Sequence, residues 1–383
     1  MTSKERVRAT IAGEPVDRIP LGFYLVDCDT ISRVIGRQTY VRDKIRSQLA
    51  LWEGRRDEVV ESYQKDTVGF YTEIDCCDLI CFKEAPLVPP KDYRPDPPRR
   101  VDDETWEDRH GAIYKISHLS NELVCVFDPT VYDTDDFSAD MYQAPDESEV
   151  KAPDPSIFEA FDYVAEQMGE DRYVAGYSGG VTAFSLLGGQ VTGLMMYALK
   201  PEVVRAYNRR SVAIQNALDK HYIRPRQSGV LLEQDIGTTK GPLISPQQFR
   251  ENCFPYLKER VEHIKRFGQQ VIWHNCGDNR PLVDMYIEAG VQCYESIQTI
   301  PAMELGQLIE RFGHSMVFWG GIPVEHLVGG TPDDIRRDVR EALEKGRRAR
   351  GFILGPSHSI AYGTKYDNFM ALLDEYARLA DRL

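Results

Sequence analysis

Six times between Tyr173 and Gly355, a short β-prone run gives way to a stretch with helical spacing of apolar residues. The runs are Tyr173–Ser178, Gly229–Ile236, Gln270–Cys276, Val291–Ile297, Met316–Gly320 and Gly351–Gly355. Strand–helix alternation of this kind implies a parallel sheet covered by helices. Two further strands are expected earlier, at Ile19–Val26 and within Thr67–Cys81. Eight such units close a barrel, whereas an open doubly wound sheet gathers its chemistry near one switch point. Polar residues able to do chemistry follow several different strands here, which favours a (β/α)8 TIM barrel. Helix starts support the alternation. Ser245-Pro246-Gln247-Gln248 and Thr331-Pro332-Asp333-Asp334 each place a capping hydroxyl before a proline, and Thr364 is expected to cap a helix with Asp367 in its first turn.

The whole chain, 1–383, reads as one domain, with residues 84–155 as a surface excursion from it. Pro86–Pro98 is proline-rich, and Asp133–Pro155 is polar and acidic. Between them, His110–Phe127 carries two β-prone runs around a polar break and predicts a β-hairpin. Lys and Arg total 46 against 60 Asp and Glu, a formal charge of −14, which argues against nucleic-acid binding or an anionic membrane surface. No apolar run approaches the ~20 residues of a membrane span. The first residues, MTSKERVRATIAGEP, contain no apolar segment of a secretory signal, so a cytoplasmic protein is expected. Most of the eight cysteines, Cys76, Cys77 and Cys81 among them, read as small buried apolar residues. The sequence leaves a homo-oligomer open.

The sharpest local pattern is Trp273-His274-Asn275-Cys276-Gly277 at the end of a strand. Side chains alternate along a strand, so His274 and Cys276 share a face, and an imidazole and a thiolate so placed can grip one Zn²⁺. His358 follows a later strand and would stand at the same barrel mouth. Glu233 and Asp235 follow a third strand with one parity. A site of this make-up, with three or four ligands and an exchangeable position, suits catalysis. Tyr177, Glu295, Gln298 and Trp319 also flank strand ends and are candidates to line a pocket. Gly176-Tyr177-Ser178-Gly179-Gly180 spells the G-x-S-x-G of a nucleophile elbow, but no acid and base can be assigned to it.

Five stretches together resemble the uroporphyrinogen decarboxylase superfamily: Pro15–Pro20 (PVDRIP), Gly241–Pro246 (GPLISP), His274–Gly277 (HNCG), Gly320–Ile322 (GGI) and Ile353–His358 (ILGPSH). The resemblance implies one (β/α)8 barrel with an N-terminal elaboration. The decarboxylases of that superfamily carry an arginine-rich N-terminal motif for porphyrinogen carboxylates. The corresponding segment here, Leu21–Asp27, reads LGFYLVD and has no arginine. The zinc- and corrinoid-dependent methyltransferases carry His-x-Cys and, far downstream, Cys in a P-G-C context. His274 and Cys276 resemble that pattern, but His358 stands in P-S-H.

Imidazole in place of thiolate leaves the site one charge less negative, so a bound zinc would be the stronger Lewis acid. That suits polarising the heteroatom of a methyl donor. The resemblance therefore implies transfer from a small methylated donor, an aromatic methyl ether favoured, to a Co(I) corrinoid. No D-x-H-x-x-G motif is present, so the corrinoid would arrive on a partner protein. Asp235 or Glu233 would complete the metal shell or protonate the leaving group. The competing expectations are a metal-independent decarboxylase or lyase of the same fold, a methylcorrinoid:thiol methyltransferase, and a binding module with a degenerate site.

Overall fold

Short runs rich in Val, Ile and Leu cannot hide one face only, and they end up buried on both faces of a parallel sheet. In the computed structural model, which describes residues 1–146, 149–181 and 184–380, the strands in chain order begin with β1 (Leu79–Cys81). Then come β2 (Arg99–Arg100), β3 (Thr105–Glu107), β4 (Ile113–Ser117) and β5 (Glu122–Phe127). They continue with β6 (Tyr173–Gly176), β7 (Gly229–Glu233), β8 (Gly237–Thr238) and β9 (Gly241–Pro242). The last are β10 (Gln270–His274), β11 (Cys293–Glu295), β12 (Val317–Ile322) and β13 (Phe352–Pro356). Strands β1, β6, β7, β10, β11, β12 and β13 pair in that order, all parallel. Spatial order follows chain order with no reversal, so the sheet lacks the switch point of a doubly wound fold.

The two edges of this curled sheet meet the same piece of chain. Leu21 bridges in parallel to Leu354 of β13, and Gly22 to Leu79 of β1. The Gly22 amide donates to the Leu354 carbonyl at 2.9 Å, and the Asp78 amide donates to the Leu21 carbonyl at 2.7 Å. Both edges are thereby satisfied. The strand expected over Ile19–Val26 is thus reduced to these two residues and a single bridge from Val26 to Ile360. Of the region Thr67–Cys81, the helix Arg56–Glu73 takes the first part and β1 only the end.

Inside the ring, Leu79, Cys81, Tyr173, Ala175, Leu231, Ile272, Cys293, Val317, Trp319 and Ile353 form one buried cluster with Tyr24. Val7 and Ile11 of the helix Ser3–Ala12 join it. That helix lies across the strand starts, where the Gln270 side chain donates to the Arg8 carbonyl at 3.0 Å. One end of the barrel is plugged, and the end where strands finish is left for chemistry. Trp319, read as a pocket residue, belongs to the packed interior, with Nε1 donating to the Gly22 carbonyl at 3.0 Å. Two glycines make room for it. A Cβ on Gly22 would come 3.2 Å from the indole, and one on Gly355 2.7 Å from its nitrogen.

The hairpin of His110–Phe127 is β4 paired antiparallel with β5, and β2 and β3 extend it to a four-stranded sheet. It rests on the helix Lys44–Trp52 through a Lys44–Glu122 ion pair and a Trp52–Trp106 contact. Thr331 and Asp334 form a reciprocal cap, and Ser245 accepts from the Gln248 amide at 3.1 Å. Thr364 is not a cap. The last helix starts at Tyr366, and the Thr364 hydroxyl is buried without a partner.

Candidate metal centre

Three neighbouring strands end at one level. Glu233 of β7 is in register with His274 of β10, and His274 with Glu295 of β11. All three continue the inward parity of Leu231, Ile272 and Cys293. An imidazole is therefore set between two carboxylates at the open end of the barrel.

The His274 Nδ1 edge meets the Glu295 carboxylate in a hydrogen bond, with both side chains buried. Burial alone would lower the proton affinity of His274, but Glu295, helped by Cys276, overcomes it and pushes the imidazole up to about 10. Burial in turn raises the carboxyl of Glu295. The proton on Nδ1 is thus held by Glu295, and Nε2 faces the Cys276 sulfur at 3.5 Å. This is the arrangement by which a second carboxylate fixes the tautomer of a metal-binding histidine. His358, on the loop after β13, has its Nδ1 within 3.1 Å of the Ser359 hydroxyl. Burial, then the charge on His274, lowers the proton affinity of His358.

One ligand atom each from His274, Cys276 and His358 lie within 4.8 Å of one another, and no other group of three such side chains converges among the described residues. Zinc bonds of ~2.0–2.3 Å in a tetrahedron put donors roughly 3.3–3.7 Å apart. The His274–Cys276 pair already stands at that separation. The donor set, its burial and the carboxylate behind His274 all fit zinc.

The two acidic candidates occupy different places. Asp235 is exposed, accepts the Cys276 amide at 2.8 Å and lies 3.9 Å from His274 Nε2. Glu233 instead forms an ion pair with Lys83. Burial works to raise the Glu233 carboxyl, yet Lys83 brings it below the ordinary range. Gln298 accepts the Gly277 amide at 2.7 Å, so it shapes the turn after Cys276. Gly277 itself has φ of 86° and leaves no room for a Cβ against Gly237. Tyr177 lies outside the barrel, packed against Phe82, Phe158 and Phe161, and does not join the cluster.

Three residues at the site escaped sequence reasoning. Tyr24 stacks on His274 with centroids 4.0 Å apart and meets His358 edge-on at 5.5 Å. Lys83 donates to the Tyr24 hydroxyl at 3.0 Å. Ser296 donates to the Ser357 carbonyl at 3.0 Å and lies 3.4 Å from the Cys276 sulfur. Its φ of 77° is left-handed, a conformation that costs a non-glycine residue about 1 kcal/mol or more and clusters at functional sites. Only Lys83 had a readable signal, a charge directly after a strand end.

Glu295→Gln keeps the shape behind His274 and removes the charge. Zinc affinity, measured by competition with a chromogenic chelator, is expected to fall about 10- to 100-fold. Unchanged affinity would show that Glu295 does not tune the imidazole.

The sequence matches the family model described as uroporphyrinogen decarboxylase over residues 121–379. Among solved structures, the chain is similar to a methyltransferase from Methanosarcina mazei, with a TM-score of 0.64, 16% identity and 99% of each chain covered. That likeness is one of fold. A Xaa-Pro dipeptidase with bound methionine is far more distant, with a TM-score of 0.29, 14% identity, and 57% of this chain and 59% of that chain covered. No curated protein sequence matches the chain.

Proposed function

The chain belongs to the uroporphyrinogen decarboxylase family, and from that premise we propose that it is a zinc-dependent methyltransferase. In this reading it takes a methyl group from a small methylated donor, an aromatic methyl ether favoured, and passes it to a Co(I) corrinoid on a partner protein. The observation that carries the reading is the convergence of His274, Cys276 and His358 at the open end of the barrel. The surrounding charge supports it. A porphyrinogen decarboxylase needs several cations for substrate carboxylates. Here the cluster is edged by Glu233, Asp235 and Glu295, and Lys83 is already paired.

His274, Cys276 and His358 would hold the zinc, and Asp235, 3.9 Å from His274 Nε2 but outside the converging trio, is the fourth donor in this reading. When bound, zinc supplies a Lewis acid for the leaving heteroatom of the methyl donor. Glu295 keeps the Nδ1 proton of His274 in place, so that Nε2 stays free to ligate. Tyr24 covers the flat face of His274 and keeps water from that side.

The test combines zinc-loaded protein, a Co(I) corrinoid protein and a panel of methyl ethers, methylamines, methyl thiols and methanol. The change in the cobalt spectrum reports methyl transfer. Transfer from a methoxyarene is expected. Absence of transfer from every donor overturns the reading.

A further inference from the structure

A methyl ether is a poor substrate because its oxygen must leave with the electron pair of the C–O bond. A proton delivered to that oxygen removes most of the difficulty. The site holds several acids, but each is committed. Glu295 is bound to His274, Glu233 is the anionic half of an ion pair, and Asp235 accepts the Cys276 amide. Lys83 is placed differently. It sits in the turn Phe82–Glu84 directly after β1, about a quarter exposed. Its ammonium uses two N–H groups, one on Glu233 and one on the Tyr24 hydroxyl at 3.0 Å, and the third has no partner among the described residues. Both partners touch or neighbour His274, Glu233 by strand register and Tyr24 by stacking. A solvent-reached ion pair, a quarter to a third exposed, contributes about 0–1 kcal/mol to stability, so stability alone does not explain a lysine on this rim.

Resting on the methyltransferase reading, we propose that Lys83 is the proton donor to the heteroatom that departs from the methyl donor. The C–O bond breaks with its pair left on oxygen. The Co(I) pair forms the Co–C bond, and cobalt becomes Co(III). The oxygen takes a proton from the Lys83 ammonium, and the amine that remains is reprotonated from solvent. Glu233 holds the ammonium in position throughout.

The test uses Lys83→Met and Lys83→Arg with methoxybenzene and 4-nitromethoxybenzene, which differ in the basicity of the departing oxygen. Lys83→Met is expected to lower kcat about 10²- to 10⁴-fold with methoxybenzene, and less than about 10-fold with the nitro compound, whose phenolate leaves without help. Lys83→Arg keeps the charge but is too weak an acid to replace lysine, so it is expected to fall with methoxybenzene as well. Zinc content is expected to stay at the wild-type level in both variants. A readout without turnover is the absorbance of bound 4-nitrophenol. The ammonium favours its yellow phenolate, and Lys83→Met is expected to shift the bound probe toward the colourless phenol. Equal loss with both ethers, loss of zinc from Lys83→Met, or an unshifted nitrophenol spectrum would each overturn the assignment and leave Lys83 a prop for Tyr24. Wild-type protein that transfers no methyl group from any donor would instead fail at the methyltransferase reading, and the assignment would fall with it.

Discussion

Wild-type protein is expected to carry about one zinc ion per chain, and Cys276→Ala to lose it together with methyl transfer, the latter about a thousandfold or more. The sulfur is the one thiolate in the set, so its removal takes away both a bond and a negative charge. Structural zinc sites bind with about 10–16 kcal/mol spread over some four ligands. Losing one ligand therefore costs several kcal/mol, and every 1.36 kcal/mol is about tenfold. Two imidazoles and an exposed carboxylate would remain, which is a weaker set. The fold should survive, because Cys276 lies beyond the end of β10 and only partly buried. Metal analysis after dialysis, with far-UV circular dichroism on the same samples, checks both statements. Full zinc in the variant, or none in the wild type after reconstitution, would remove the metal from the account. His358→Ala is expected to follow the same direction, and it tests whether imidazole serves where the resemblance leads one to look for a thiolate.

How much of this was legible depends on how local the determinant is. The parallel strands are written in apolar runs of the right length with capped helices between them. His274 and Cys276 share a face because strand parity is a local rule. His358 is visible as a histidine after another strand. Ring closure is not legible, since Leu21 and Gly22 pair over two residues and show no period. Parity also does not say which strand-end residues stay in the core. Trp319 has the parity of Glu295, yet it fills the barrel because Gly22 and Gly355 leave a space for an indole. Tyr177 lies one residue past β6 and turns toward helices instead of the mouth. Asp235 and Glu233 look equivalent in the sequence and are separated only by Lys83, about 150 residues away, which claims Glu233. Contacts of that kind are set by closure of the ring and leave no trace in any single window of sequence.

The G-x-S-x-G stretch leads to the second large effect, which concerns the fold. Ser178 occupies the nucleophile position, but the stretch serves as a clamp. The Gly179 amide donates to Asp219 at 2.7 Å, and the Gly180 carbonyl accepts from Arg260 at 2.9 Å. Asp219 and Arg260 are themselves fully buried and doubly bonded, at 2.7 and 2.9 Å, across the helices Pro201–Tyr222 and Phe254–Lys265. His263 adds a contact to the same carboxylate at 2.8 Å. A Cβ on Gly179 would lie 2.1 Å from the Gln215 carbonyl, so the glycine there is a matter of close packing. Asp219→Ala would leave a buried guanidinium without its counter-charge and an amide without its acceptor. Breaking a buried pair from one side costs about 3–5 kcal/mol, a large share of a total stability of about 5–15 kcal/mol. Its melting temperature is expected to fall by roughly 4–6 °C, or the variant to be recovered insoluble. Ser178→Ala is expected to change neither melting nor turnover, because among the described residues its hydroxyl bonds within the turn, to Gly180. Thermal denaturation and the methyl-transfer assay on both variants decide the matter. Loss of turnover in a stable Ser178→Ala would restore the nucleophile, and an unshifted melting curve for Asp219→Ala would show that the clamp is dispensable.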